Sequence, residues 1–138
     1  MNYKILVLDI DGTLINSQKK ITRCTKNALL KLQKCGTKIV LASGRPGYGM
    51  IPLARELKMQ NYHGYILAFN GGKIIDCQTN ETIFEKSMQQ KQICELARKL
   101  QNKKVSLITY EKDSLITETP MDPYVQKEAR INKMEIKQ

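Results

Sequence analysis

Asp9 and Asp11 stand two residues apart in "ILVLDIDGTL", residues 5–14, and Gly12 follows them directly. At that spacing along an extended chain the two carboxylates project in related directions, and the glycine frees the backbone to turn sharply. One carboxylate could attack phosphorus and carry the phosphoryl group as an aspartyl ester. The other could give a proton to the leaving oxygen and later take one from water. Two negative charges this close call for a cation, and Mg²⁺, with its preference for carboxylate, carbonyl and water oxygens, suits them. A second group lies in "ASGRP", residues 42–46. There Ser43 and the amides around Gly44 can donate to phosphate oxygens at the start of a helix, and Arg45 can add a bidentate charge-assisted contact. A third, Asn70-Gly71-Gly72, offers an amide side chain and a compliant backbone.

These residues do chemistry together only if the chain brings them to one place. Ile5–Leu8 is a run of four apolar residues, which predicts a strand covered on both faces. Ala28, Leu29, Leu32 and Cys35 recur at helical spacing and Gly36 follows where helices commonly stop. "TKIVLAS" (37–43) predicts a second strand, Met50, Leu53, Ala54 and Leu57 a helix opened near Pro46, and "GYILAFN" (64–70) a third strand. Strand, helix, strand, helix, strand is the pattern of a parallel sheet with helices packed over its faces. Open sheets of this kind place ligand crevices at the carboxyl ends of their strands, and Asp9, Ser43 and Asn70 all sit at such ends. Taken singly, each loop has a plainer explanation: an Asp-Gly turn, a helix cap with a surface arginine, and a turn asparagine. Their common placement at successive strand ends favours one crevice. His63, a lone histidine near a strand start, reads as structural.

After Gly72 the grammar becomes antiparallel. Residues 73–87 alternate around Thr79-Asn80 as a hairpin, and Ile93, Leu96, Ala97 and Leu100 mark a helix. "KVSLITYEKDSLITETP" predicts a second hairpin turning near Lys112-Asp113; beyond Pro120 only a short polar helix is legible, with no closing strand. The expected organisation is a core over 1–72, a hairpin linker over 73–85 and a second module over 86–138.

Composition narrows the alternatives. With 138 residues, 41% hydrophobic and 26% charged, the chain is an ordinary globular protein, and no apolar run approaches a membrane span or a cleavable leader, so a cytoplasmic location is expected. Cys24, Cys35, Cys77 and Cys94 are widely spaced, which points to reduced, mostly buried thiols rather than to zinc or disulfides. The net charge of +10 is spread evenly, with 12 basic and 6 acidic residues over 1–85 and 11 and 7 over 86–138. Lys19, Lys20, Arg23, Lys26, Lys31, Lys34 and Lys38 surround a helix as a solvated face would, and without interleaved aromatic residues or a known binding module a nucleic-acid partner is not expected.

"DIDGTL", "LASGRP" and "AFNGG", in this order and spacing, resemble the haloacid dehalogenase-like hydrolases, specifically the Cof-type phosphatases, and "DPYVQKEARINKMEI" resembles a segment of that subfamily's cap. The resemblance implies a Rossmann-like α/β/α core of three layers, here with a partial parallel sheet, followed by the start of an α+β cap. It implies Asp9 as nucleophile, Asp11 as acid and base with its carbonyl on Mg²⁺, and Ser43 as phosphate ligand. Gly12, Thr13, Gly44 and Gly71 would lie against the phosphate, and Arg45 and Asn70 would line the substrate side. The implied substrate is a small phosphorylated metabolite such as a sugar phosphate.

The family pattern also contains a lysine after the cap and a later "GDxxND"-like loop, and this sequence contains neither. It resembles the amino-terminal half of a longer protein. A second reading follows: a non-catalytic remnant that binds phosphate or Mg²⁺, or that self-associates through the open edge of an incomplete sheet.

Overall fold

The computed structural model describes residues 4–138, and the chain divides into two compact units, the first ending at Glu85 and the second running Lys86–Gln138. In the first unit the order is β1 (Ile5–Asp9), α1 (Arg23–Lys34), β2 (Lys38–Ala42), α2 (Gly47–Glu56), β3 (Tyr65–Ala68), β4 (Lys73–Asp76) and β5 (Thr82–Glu85). They form a five-stranded sheet in the order β1-β2-β3-β4-β5. The first three strands run parallel, and their register sets Asp9 beside Ala42 and Ala42 beside Leu67. The carboxyl ends of β1, β2 and β3 therefore stand in one row, and the loops that follow them leave the sheet side by side.

Residues 73–85, expected as a linker, belong to this sheet. β4 pairs antiparallel with β3, and β5 with β4. The turn between them is held by Asp76, whose Oδ1 accepts from the backbone N–H of Gln78 at 2.7 Å, with Asn80 in the left-handed region at φ 62°.

Both helices of this unit lie over one sheet face. The strand order advances in one direction, so two right-handed crossovers return on the same side. Leu29 of α1 and Met50 and Ala54 of α2 share a core with Ile39, Leu41, Ile66, Ile75 and the half-buried Leu6 and Leu8. The opposite face carries Ile5 and Val7, which are 57% and 56% exposed. The expectation that β1 is covered on both faces is thus corrected: it is an edge strand paired only with β2, and no helix of the first unit's described residues covers its second face.

Within α1 the helical stripe is also rotated from its apolar reading. Thr22 caps the helix by accepting from the Thr25 N–H, and Leu29 is buried, but Leu32 is 41% exposed and Gln33 is buried in its place. Gln33 donates from Nε2 to the Leu57 carbonyl at 2.8 Å, tying α1 to the end of α2 through a polar contact. The thiols are free, as expected, but not mostly buried: Cys24, Cys35 and Cys94 are exposed, two of them at the ends of α1 and one on α3 (Gln90–Leu100), and only Cys77 is partly covered. Burial pushes the Cys77 thiol up to about 12, so it stays protonated.

The second unit contains α3, β6 (Ile108–Glu111), β7 (Ser114–Thr117), α4 (Pro123–Asn132) and β8 (Glu135–Lys137). β6 and β7 form the expected hairpin, turned at Lys112 with φ 53°. A closing strand exists where none was expected: β8 pairs parallel with β7. Three residues with a single apolar member are too short for alternation to reveal, and only the crossover through α4 brings them to the sheet. α4 starts at Asp122, whose Oδ1 accepts from the Tyr124 and Val125 N–H groups and whose Oδ2 accepts from the Ser106 hydroxyl at 2.7 Å. Leu115, Val125 and Ala129 are the small core. No helix among the described residues is long and apolar enough to cross a membrane.

Candidate active site

The first loop is a tight turn anchored by apolar residues. The Leu14 N–H donates to the carbonyls of Asp9 (3.2 Å) and Ile10 (3.1 Å), and the Ile15 N–H to that of Ile10 at 3.0 Å. Ile10, Leu14 and Ile15 are buried, whereas Asp9, Asp11, Gly12 and Thr13 are exposed. Core packing thus fixes the turn while its polar members face outward. Gly12 has φ +82°, a left-handed conformation for which glycine has no steric penalty.

The second and third loops are stitched to each other by backbone hydrogen bonds. Ser43 N–H donates to Leu67 O, Asn70 N–H to Ser43 O and Phe69 N–H to Arg45 O, each at 3.0 Å. Ser43 Oγ accepts from the Arg45 N–H at 3.3 Å. Asn70 adopts the left-handed conformation at φ 55°, which turns its side chain onto Gly44; a Cβ at Gly44 would lie 3.2 Å from Asn70 Oδ1. Glycine at 44 is what permits this approach.

Arg45 joins these loops to the first. Its Nε donates to Asp11 Oδ2 at 2.8 Å and its Nη2 to Asp11 Oδ1 at 2.7 Å, a bidentate fork with the Arg45 side chain only 12% exposed. A further cation reaches the same carboxylate: Lys19 Nζ lies 2.7 Å from Asp11 Oδ1. The Arg45 guanidinium, with Lys19 adding to it, holds the Asp11 carboxyl below its ordinary value against the opposing effect of partial burial.

All the sequence-derived residues of the three loops are therefore at adjoining strand ends, with Asp11 bonded to Arg45, and Asn70 against Gly44. Lys19 was not singled out in the sequence, where it belongs to a run of lysines that reads as a solvated face. The available signal was the turn chemistry of Asn16-Ser17 just before it, which returns the chain toward Asp11.

Among the described residues no group of three or more His, Cys, Asp or Glu side chains comes together to hold a metal. Asp9 forms no ion pair among those residues, while the Asp11 carboxylate is engaged by two cations. Mg²⁺ takes one or two carboxylates and completes its shell with water and phosphate oxygens, so an exposed Asp9 with no ion pair among the described residues fits it.

Residues 6–138 match the family described as haloacid dehalogenase-like hydrolase. A haloacid dehalogenase-like hydrolase from Bacteroides thetaiotaomicron shares the structure with a TM-score of 0.91 and 43% identity, over 99% of this chain and 51% of that one. The sugar phosphatase BT4131 has a TM-score of 0.74 and 24% identity over 97% of this chain and 52% of that one, a likeness of fold. The Bacillus subtilis protein YxeH, which carries a phosphatase name, is 36% identical over 86 residues, 62% of this chain and 32% of its own length. This chain thus spans about half the length of the two solved relatives, and its match to YxeH covers about a third of that protein.

Proposed function

The chain belongs to the haloacid dehalogenase-like hydrolases, and from that premise we propose that it carries the nucleophile and phosphate-binding loops of a Cof-type, Mg²⁺-dependent phosphomonoester hydrolase. In this reading Asp9 attacks the phosphorus of the ester, the bond from phosphorus to the alcohol oxygen breaks, and the alcohol leaves with a proton from the Asp11 carboxylic acid. Asp9 then carries the phosphoryl group. Water, losing a proton to the Asp11 carboxylate, attacks that aspartyl phosphate and releases inorganic phosphate and free Asp9. The ion pairs with Arg45 and Lys19 favour the carboxylate form of Asp11, the form this second half requires.

Ser43, with the backbone around Gly12, Thr13, Gly44 and Gly71, binds the phosphoryl oxygens; Arg45 and Asn70 orient the rest of the substrate. Mg²⁺, held by Asp9 and the Asp11 carbonyl, would supply charge neutralisation for the transferring group. A small phosphorylated metabolite of the sugar-phosphate kind, met in the cytoplasm, is the proposed substrate; the shared fold of the sugar phosphatase BT4131 supports that class.

The observation that supports the reading is that three successive strand-end loops are joined to one another through the Arg45–Asp11 fork and the Asn70–Gly44 approach. Its test is phosphate release from an aryl phosphate, with Mg²⁺ and with chelator, by the parent and by Asp9→Asn. Mg²⁺-dependent release that the variant lowers at least about 100-fold is expected for loss of a covalent nucleophile. Equal release by both proteins would overturn the assignment.

A second reading, a self-associating module, draws on a different observation, the edge position of β1, on which Ile5 and Val7 are exposed.

A further inference from the structure

Resting on that reading of a phosphoryl site, we propose that Lys19 is an additional substrate-phosphate ligand, which leaves Asp11 and closes on the phosphoryl oxygens when substrate enters. Lys19 Nζ and Arg45 Nη2 each lie 2.7 Å from the same atom, Asp11 Oδ1. Lys19 Nζ therefore stands at the carboxylate that the proposed mechanism sets at the leaving oxygen, next to the phosphoryl group. A phosphoryl dianion carries more charge than the single carboxylate of Asp11 and competes with it for the Lys19 ammonium.

The loop that carries Lys19 is built to present it. Asn16 Oδ1 accepts from the backbone N–H groups of Gln18 and Lys20, each at 3.0 Å. The Asn16 N–H donates to Lys20 O at 3.0 Å, and the Lys19 N–H to Asn16 O at 2.9 Å. Lys19 at the tip is left-handed, with φ 59°, a conformation that a lysine adopts at an energetic cost and that this turn imposes. The two cations are anchored unequally. The Arg45 side chain is 12% exposed and that of Lys19 59%, so Arg45 is the fixed member and Lys19, a compact charge on a flexible stem, is the one that can move to the ligand.

The test is the affinity for inorganic phosphate by isothermal titration at one fixed Mg²⁺ concentration, a readout that needs no turnover. Lys19→Met should weaken binding about fivefold to tenfold, the loss of one charge-assisted contact. Lys19→Arg should restore binding to within about twofold, and Lys20→Met, which removes the neighbouring charge, should change it by less than about twofold. Unchanged affinity in Lys19→Met, or an equal loss in Lys20→Met, would overturn the proposal. If the parent binds phosphate and Ser43→Ala weakens it while Lys19→Met does not, Lys19 alone is rejected. If the parent binds no phosphate, the phosphoryl-site reading falls and Lys19 with it.

Discussion

Asp11 is the point where three separated parts of the sequence meet, since Arg45 and Lys19 both bond to it from other loops. Arg45 is the first cause of its lowered pKa. Arg45→Met should therefore raise the Asp11 carboxyl back toward the ordinary range, as read by NMR titration of its side-chain carbon. A folded pKa below the unfolded one gives stability that is present above the unfolded value and is lost as pH falls through the folded one. Arg45→Met should flatten that part of the acid profile, by a small amount because Asp11 is 42% exposed and solvent screens the pair. An unmoved Asp11 titration would contradict the fork. The positions of Asp9, Asp11, Ser43 and Asn70 at or just beyond strand ends were legible because their types and their places after apolar runs are local properties of the sequence. The partners of Asp11 were not: the Lys19 contact depends on a turn closed by the Asn16 side chain, and the Arg45 contact on the register of two parallel strands.

Among the elements, the entry to β3 tests how tightly the sheet is packed behind the site. A Cβ on Gly64 would lie 2.9 Å from Met59 Cβ and 3.0 Å from the Ile39 carbonyl oxygen. Gly64→Ala should cost about 1–3 kcal/mol in denaturant unfolding, as overpacking against backbone does; an unchanged midpoint would contradict the close approach. In the second unit, the Asp122 carboxylate accepts from the Ser106 hydroxyl and caps α4, and these contacts, the Ser106 bond foremost, lower its pKa. Its contribution is accordingly present above the unfolded carboxyl value and disappears as pH falls through the lower folded one. Asp122→Asn keeps a capping oxygen and removes the titration, so its melting temperature should depend less on pH below about 4 than that of the parent. Equal slopes would rule out the cap as the acid-sensitive group. The strands and helices were readable from their periodicity, but two details were not. Gln33 rather than Leu32 turns inward because the end of α2 offers it a carbonyl, and β8 owes its place to a crossover rather than to its own three residues.

Across the whole molecule, the parallel start of the first sheet follows from the strand–helix alternation before Gly72, whereas the antiparallel hairpin after it, expected as a linker, extends that sheet, and the first unit ends only at Glu85. The bare face of β1 was not legible, because four apolar residues in a row read the same whether one face or both are covered. If that edge promotes self-association, sedimentation velocity should show a concentration-dependent increase in mass that Val7→Lys abolishes; a parent that stays monomeric at every concentration would contradict it. The three strand-end loops of the first unit, in turn, should act as one phosphoryl site. The backbone amides of the whole chain, followed in ¹H–¹⁵N spectra while inorganic phosphate is added in the presence of Mg²⁺, report this. Shifts should concentrate at Gly12, Thr13, Ser43, Gly44, Arg45, Asn70 and Gly71. Shifts spread over the lysine-rich surface, or confined to the second unit, would contradict it.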